Sequence, residues 1–209
     1  MSRARLVALV ATLMGALGAP APSHAQVPSS RHFSLSQSSS LVAFTIYTQG
    51  LFRLKREGRF KEVAGELSYD PDRPADTRVD LVVNTASVDV NDAEHNDLLR
   101  SPEFFDAAEF PTMRFTSAAT TTQPDGTMLV DGDLTIRGIT KRIAIPVALQ
   151  TTEQDGAPAA ARFDTTFDID RTEFGLNGVP KMKGFNIPIS KRVRIHVSIA
   201  APMRSPSAP

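Results

Sequence analysis

The sequence predicts an all-β, antiparallel fold, and three observations carry that expectation. Apolar and polar residues alternate with period two in at least eight separate runs, the pattern of strands with one buried and one solvated face. Between the runs lie Asp-Pro, Asp-Gly and Arg-Gly pairs, whose turn chemistry suits short antiparallel connections better than crossovers. One stretch, Asp92 to Phe110, departs from the period. Eight or more amphipathic strands can close as a sandwich or as a barrel, and the pattern by itself does not choose.

The chain opens with a targeting pattern. Arg3 and Arg5 form a short basic region, Leu6 to Gly18 is apolar or small apart from Thr12, and Ser23-His24-Ala25 places small residues where a signal peptidase reads. The apolar run is shorter than the roughly 20 residues a bilayer span needs. Residues 1–25 are expected to be a cleaved secretory signal and Gln26 the first mature residue, with export into a bacterial periplasm. Loss of Arg3 and Arg5 leaves 21 basic against 23 acidic side chains. No later apolar run approaches membrane length, so no membrane span is expected.

The strands then follow in order. Val42, Phe44 and Ile46 share one parity, as do Val63, Gly65, Leu67 and Tyr69, then Val79, Leu81 and Val83. After the irregular stretch come Met113, Phe115 and Ser117; Val130, Gly132, Leu134 and Ile136; and Ile143, Ile145, Val147 and Leu149. Phe163, Thr165, Phe167 and Ile169 form the next run and Val193, Ile195, Val197 and Ile199 the last. His32 to Leu35 and Leu51 to Arg56 would bring the count to nine or ten. Asp70-Pro71-Asp72-Arg73-Pro74, Pro124-Asp125-Gly126, Arg137-Gly138 and Gln154-Asp155-Gly156 are read as turns. In the irregular stretch, Ser101-Pro102-Glu103 resembles a helix start, which predicts one short helix before Ser101 and another after it. Inward small residues, Gly65, Gly132, Ser117 and Thr165, fit a hollow interior or a taper equally well. One domain, residues 26–201, is expected, and the Pro- and Ser-rich tail 202–209 is expected to be disordered.

Composition removes several functional classes. Among 209 residues there is no cysteine, which excludes disulfides, thiolate metal sites and a catalytic thiol. The 23 acidic residues balance 23 basic ones, so the basic excess of a nucleic-acid binder is missing. His32, His95 and His196 are the histidines beyond the leader and lack metal-ligand spacing. Asp89-Val90-Asn91-Asp92 begins like a calcium loop, but Glu94 and Arg100 occupy the positions that need glycine and glutamate. No Gly-x-Ser-x-Gly elbow or glycine-rich phosphate loop occurs. Catalytic and metal-ligating residues are therefore assigned to none, and no cofactor is called for.

Four stretches carry a resemblance. They are Gly58-Arg59-Phe60 with Val63, Gly65, Leu67 and Asp70-Pro71; Leu99-Arg100-Ser101-Pro102-Glu103-Phe104-Phe105-Asp106 with Phe110-Pro111 and Phe115-Thr116-Ser117; Gly132 to Lys141; and Arg171-Thr172-Glu173-Phe174-Gly175-Leu176. In this order, from about Phe33 to Ala200, they resemble the YceI-like family of secreted polyisoprenoid-binding proteins. The resemblance implies an extended lipocalin-like antiparallel eight-stranded β-barrel with short helices at one end. It also implies an apolar tunnel for a long-chain isoprenoid or other long-chain amphiphile. The chain departs from the family where many relatives carry an Arg-Asp pair and a histidine before the Leu-Arg-Ser run; here His95, Asn96 and Leu98 stand there.

Shared parity places Phe44, Leu67, Leu81, Val83, Phe115, Leu134, Ile136, Phe163 and Phe167 on one tunnel wall. Leu98, Leu99, Phe104, Phe105 and Phe110 are expected as a helical lid over one mouth, or as a plug at the barrel end. Leu99, Phe104, Phe105 and Phe174 complete the candidate ligand-binding set. Arg137 and Arg171 are expected to tie strand ends together through the guanidinium's five donors, with a head-group grip by Arg171 as the competing role. The leading function is a lipid carrier; a lipid-modifying enzyme and a structural barrel with a filled core are the alternatives. Homodimerisation is left open.

Overall fold

A computed structural model describes residues 30–49, 53–70, 72–154, 157–182 and 185–202. The expected secretory signal, Leu51 and Phe52, Pro71, the Asp155-Gly156 turn and the tail beyond Pro202 lie outside these residues. Thirteen strands appear among those described. They are β1 (Arg31–Ser36), β2 (Ser40–Tyr47), β3 (Lys55–Phe60), β4 (Val63–Tyr69), β5 (Arg78–Asn84), β6 (Val88–Asp89), β7 (Thr112–Thr122), β8 (Met128–Ile136), β9 (Ile139–Gln154), β10 (Ala157–Asp170), β11 (Lys181–Met182), β12 (Phe185–Asn186) and β13 (Arg192–Pro202). A single α-helix, α1 (Ala93–Arg100), joins three one-turn helices at 74–76, 85–87 and 171–174.

Eleven strands form one antiparallel sheet in the order β1-β4-β5-β7-β8-β9-β10-β13-β2-β3-β6, and β11 and β12 form a hairpin of their own. The sheet must roll, because its two ends are tethered. β1 and β2 are joined by a tight serine turn in which Ser39 N–H donates to Ser36 O at 3.0 Å. β3 reaches β4 through Lys61 and Glu62 alone, and each residue spans at most about 3.6 Å. Strands distant in the sheet order are therefore neighbours in space, with β1 against β13 and β2 against β4. The result is a lipocalin-like half-barrel, all-β and antiparallel as expected. Its strand count is 11 rather than eight, because β1, β3 and the two-residue β6 also pair into the sheet.

Parity sets the interior. Leu81 pairs with Phe115 and Phe115 with Leu134, while Val197 pairs with Val42 and Thr165, so apolar rows run around the inner wall. The outer faces carry cross-strand ion pairs, Arg142 with Asp131 and Asp133, Arg194 with Asp168 and Arg114 with Asp80. The small inward residues serve close approach: a Cβ on Gly132 would lie 2.6 Å from the Phe115 ring and from Thr116 O. Ser117 Oγ accepts from Val79 N at 2.8 Å, where the register shifts between Ser117 and Ala119.

Two expectations change in detail. The second helix after Ser101 does not form. Ser101 instead ends α1, its N–H donating to Asp97 O and Leu98 O at 3.1 Å. Phe105 N–H then turns back to Leu99 O at 3.0 Å, and Asp106 sits at φ 51°, a left-handed conformation that stops helix propagation. Pro202, expected in a disordered tail, ends β13 opposite Ala160. His32 and His196 are separate strand residues: His32 is exposed opposite Ser68, and His196 Nδ1 lies 3.2 Å from Thr166 Oγ1.

Candidate functional site: an apolar cavity with one polar mouth

The rolled sheet encloses a cavity of about 820 Å³. Twelve of the thirteen candidate ligand-binding residues line it: Phe44, Leu67, Leu81, Val83, Leu99, Phe104, Phe105, Phe115, Leu134, Ile136, Phe163 and Phe167. The thirteenth, Phe174, is 1% exposed and packs in the core rather than on the lining. Sequence reasoning did not single out Val79, Met113, Met128, Val130, Ile145, Val147 or Ile195 as contacts, and they line the cavity too. All seven sit on the same parity as the chosen residues, so the period-two pattern already contained them.

One end is sealed by packing. Met128 is 1% exposed, and Thr77 Oγ1 donates to Pro74 O at 2.6 Å, in the one-turn helix beside it. Thr120 Oγ1 bonds Thr77 O at 3.0 Å, and the Tyr69 and Phe163 rings meet edge to face at 5.4 Å. Burial raises the Tyr69 hydroxyl above its ordinary value, and neighbouring Asp70 adds to the shift.

The other end opens. Gln49, Leu54, Arg56, Glu57, Asn91 and Asp92 both line the cavity and are exposed. Leu54 is held there by a reciprocal pair, Thr48 N–H to Leu54 O and Leu54 N–H to Thr48 Oγ1, both 2.9 Å. Gln49 N–H donates to Pro188 O at 2.7 Å, and Thr48 bridges Ile189, which ties the 187–189 segment to the rim. Beside them α1 brings His95, Leu98 and Leu99 to the cavity. Phe105 crosses Phe60 edge to face at 5.5 Å, and Phe44 meets Phe60 at 5.8 Å, forming an aromatic collar. Phe110 is not on the lining; it packs under Gly138 instead.

The departure from the family pattern has a structural use. Asn96 Oδ1 accepts from Val90 N at 2.8 Å, and its amide donates to Asp89 Oδ1 at 3.2 Å. Asp89 is buried, with Lys61 Nζ at 2.9 Å and Arg59 at 3.8 Å. The hydrogen bond from Lys61, followed by those from Asn91 N–H and Asn96, pulls the Asp89 carboxyl down to about 2. This cluster fixes α1 to β3 and β6. His95 stands 3.1 Å from Asp92, whose Oδ1 accepts His95 N–H at 3.0 Å and so caps the helix.

Arg171 has its donors turned to backbone. It donates to Ser190 O at 3.0 Å, Gly178 O at 3.3 Å, Ile189 O at 3.5 Å and to Leu176 O. Burial lowers its ordinary value, with Asp170 partly opposing the shift. Arg137 likewise donates to Phe104 O and Gly175 O at 3.0 and 3.1 Å. Both arginines join the mouth segments to the barrel. Among the described residues no cluster of His, Asp or Glu has metal-ligand geometry, and no helix is long and apolar enough to cross a membrane.

The comparisons with known proteins agree with this geometry. Residues 33–201 match the YceI-like domain. Protein YceI of Escherichia coli O157:H7 is 36% identical over 148 residues, 68% of this chain and 71% of that protein. A UPF0312 protein of Vibrio vulnificus strain YJ016 is 38% identical over 135 residues, 64% and 65% of the two chains. Among solved structures, BcnA of Burkholderia cenocepacia superposes with a TM-score of 0.67 at 24% identity, covering 79% of this chain and 98% of that one. A polyisoprenoid binding domain from Saccharophagus degradans gives 0.60 at 14% identity, covering 82% and 97%. At these identities the structures speak for the fold, while the domain match and the Escherichia coli relative speak for descent: the chain belongs to the YceI-like family.

Proposed function

We propose that this protein is a binding or carrier protein for a long-chain isoprenoid or similar amphiphilic lipid, exported by its N-terminal signal to the periplasm. One observation carries the reading, the apolar cavity of about 820 Å³ with a sealed end and a polar mouth. A hydrocarbon chain would lie along Leu67, Leu81, Phe115, Leu134, Phe163 and Phe167, with its head group at Gln49, Arg56, Asn91 and His95. If a methylene-sized unit takes up about as much room as a water in the liquid, ~30 Å³, the cavity holds roughly 27 of them. That is about five isoprene units. At ~0.8 kcal/mol per buried methylene, such a chain outweighs the ~4–15 kcal/mol lost on immobilisation.

Binding rather than catalysis is favoured by the state of the polar groups. The acids of the mouth are already engaged, Asp92 in capping α1 and Glu57 in the pair with Lys55 at 2.6 Å. The buried cation, Arg171, is occupied by carbonyls. Specificity would therefore come from cavity length more than from head-group chemistry. Mass spectrometry of an organic extract of the protein purified from its native host tests the reading. A stoichiometric long-chain lipid is expected; an empty extract, with no uptake of a fluorescent polyprene, would overturn it, and a chemically altered lipid would point to an enzyme.

A further inference from the structure

The mouth has a second property, an uneven distribution of charge and apolar surface around it. Arg53, Lys55, Arg56, Lys191, Arg192 and Arg194 are all exposed, and the structure gathers them around Tyr47. The Arg53 guanidinium lies 4.4 Å over the Tyr47 ring, Lys55 pairs with Tyr47 across the hairpin, and Ser190 N–H donates to Tyr47 O at 2.8 Å. Arg194 faces Thr45 on the adjoining strand. The acids within this patch are fewer: Glu57 holds Lys55 at 2.6 Å, Asp168 is shared by Arg194 at 3.0 Å and Arg192 at 3.9 Å, and Asp170 is used as a helix cap. Inside this basic zone sits Leu54, 48% exposed and on the cavity lining. The first turn of α1 is of opposite sign, with Asp92 and Glu94.

A chain with no overall charge excess thus sets six exposed cations around the end where the cavity opens. An exposed apolar side chain ringed by Arg and Lys matches the interfacial zone of an anionic bilayer, where the apolar tip enters the acyl boundary and the cations meet lipid head groups. We propose that the Tyr47-centred end of the barrel docks on an anionic lipid surface with the mouth facing the bilayer, so that an apolar chain passes between membrane and cavity without crossing water. The proposal rests on the carrier reading for its cargo but not for its docking, and the two are tested separately. The acidic first turn of α1 would be held off the same surface, which gives the docked protein one orientation.

The test is co-sedimentation with phosphatidylcholine vesicles, with and without phosphatidylglycerol. The full-length mature chain should bind the anionic vesicles and release them at ~1 M salt, where the Debye length falls to about 3 Å. The double variant R53E/R192E reverses two cations that do not line the cavity and should lose at least roughly tenfold in vesicle affinity. The control R78E/R162E makes the same charge change away from Tyr47 and should bind as the parent does. Uptake of a fluorescent polyprene from detergent should be unaltered in both variants, whereas uptake from anionic vesicles should slow in the first alone. Equal binding to neutral and anionic vesicles, or equal losses in the two double variants, would overturn the docking. Charge-dependent docking without any uptake of polyprene would uphold it and overturn the carrier reading instead.

Discussion

At the scale of single residues, two buried charges hold the mouth in place. Arg171 is 7% exposed and donates to four carbonyls on the segments that follow the one-turn helix at 171–174. Lysine keeps the charge but loses the planar fork. The variant R171K should therefore lose about 2–4 kcal/mol, a fall in Tm of roughly 5–15 °C by calorimetry. Its relative affinity for neutral and phosphorylated polyprenes should not change; a selective loss of the phosphorylated one would move Arg171 to the head-group site. Asp89 titrates at about 2, below its ordinary 3.8, because Lys61 and the amides of Asn91 and Asn96 hold the carboxylate. A depressed carboxyl contributes stability that is present above the ordinary value and lost as pH falls through the folded one. The contribution of Asp89 should disappear between pH 3.8 and about 2, and a Tm series over that window should be flatter in Asp89→Asn than in the parent.

Among the elements, the stretch from α1 to Phe110 divides into parts with different duties. Phe104 is buried at 4%, whereas Phe105, one of the three rings of the aromatic collar, is half-buried. Replacing Phe104 by Ala should cost about 3–5 kcal/mol, the usual loss for a buried phenylalanine. Phe105→Ala should cost only about 1–2 kcal/mol, because less area is withdrawn from water, yet it opens the collar against Phe60. Stopped-flow release of a bound polyprene should be faster in F105A at nearly intact Tm; a large stability loss without faster release would make Phe105 a plug. The β8–β9 hairpin is closed by Arg137 at φ 50° and Gly138 at φ 71°, a two-residue loop with both residues left-handed, as the twist of the flanking strands favours. An alanine at 138 would be strained there and meet the Phe110 ring 2.9 Å from its Cβ.

For the whole molecule, cavity length is the property to vary. With room for roughly 27 methylene-sized units at ~30 Å³ each, affinity should rise along a polyprenol series and level off near about five isoprene units. Leu81 faces the cavity midway along β5, and L81W should move that plateau to shorter chains by several carbons. Because the new ring enters open space rather than packed core, the fold should survive at a cost below the ~1–3 kcal/mol of ordinary overpacking. Isothermal titration of the series in both proteins measures the shift, and an unmoved plateau would mean that the chain lies elsewhere.

Eight strands of the sheet, and the inward face of each, are legible in the alternation of the chain. The alternation in runs such as Phe163 to Ile169 or Val130 to Ile136 is imposed by burial of one face, and it is local. The eight runs are all strands, and for that reason the nine candidates chosen by parity line the cavity, while Leu99, Phe104 and Phe105 reach it from α1 and the turn after it. Local pattern was insufficient wherever a partner far along the chain decides. The two-residue strand β6 exists because Val88 and Asp89 pair with Phe60 and Arg59, and Ser101 ends a helix rather than starting one because Phe105 N–H turns back to Leu99 O. Phe174, an equal candidate by type, was drawn into the core beside Arg171. The mouth is the clearest case: Tyr47, Arg53 and Ser190 meet only because the hairpin and the 187–190 segment are hydrogen-bonded across long separations. Hydrophobic alternation is written along the chain; rolling, closure and the gathering of charge at one rim depend on contacts between strands far apart in sequence, which no local pattern encodes.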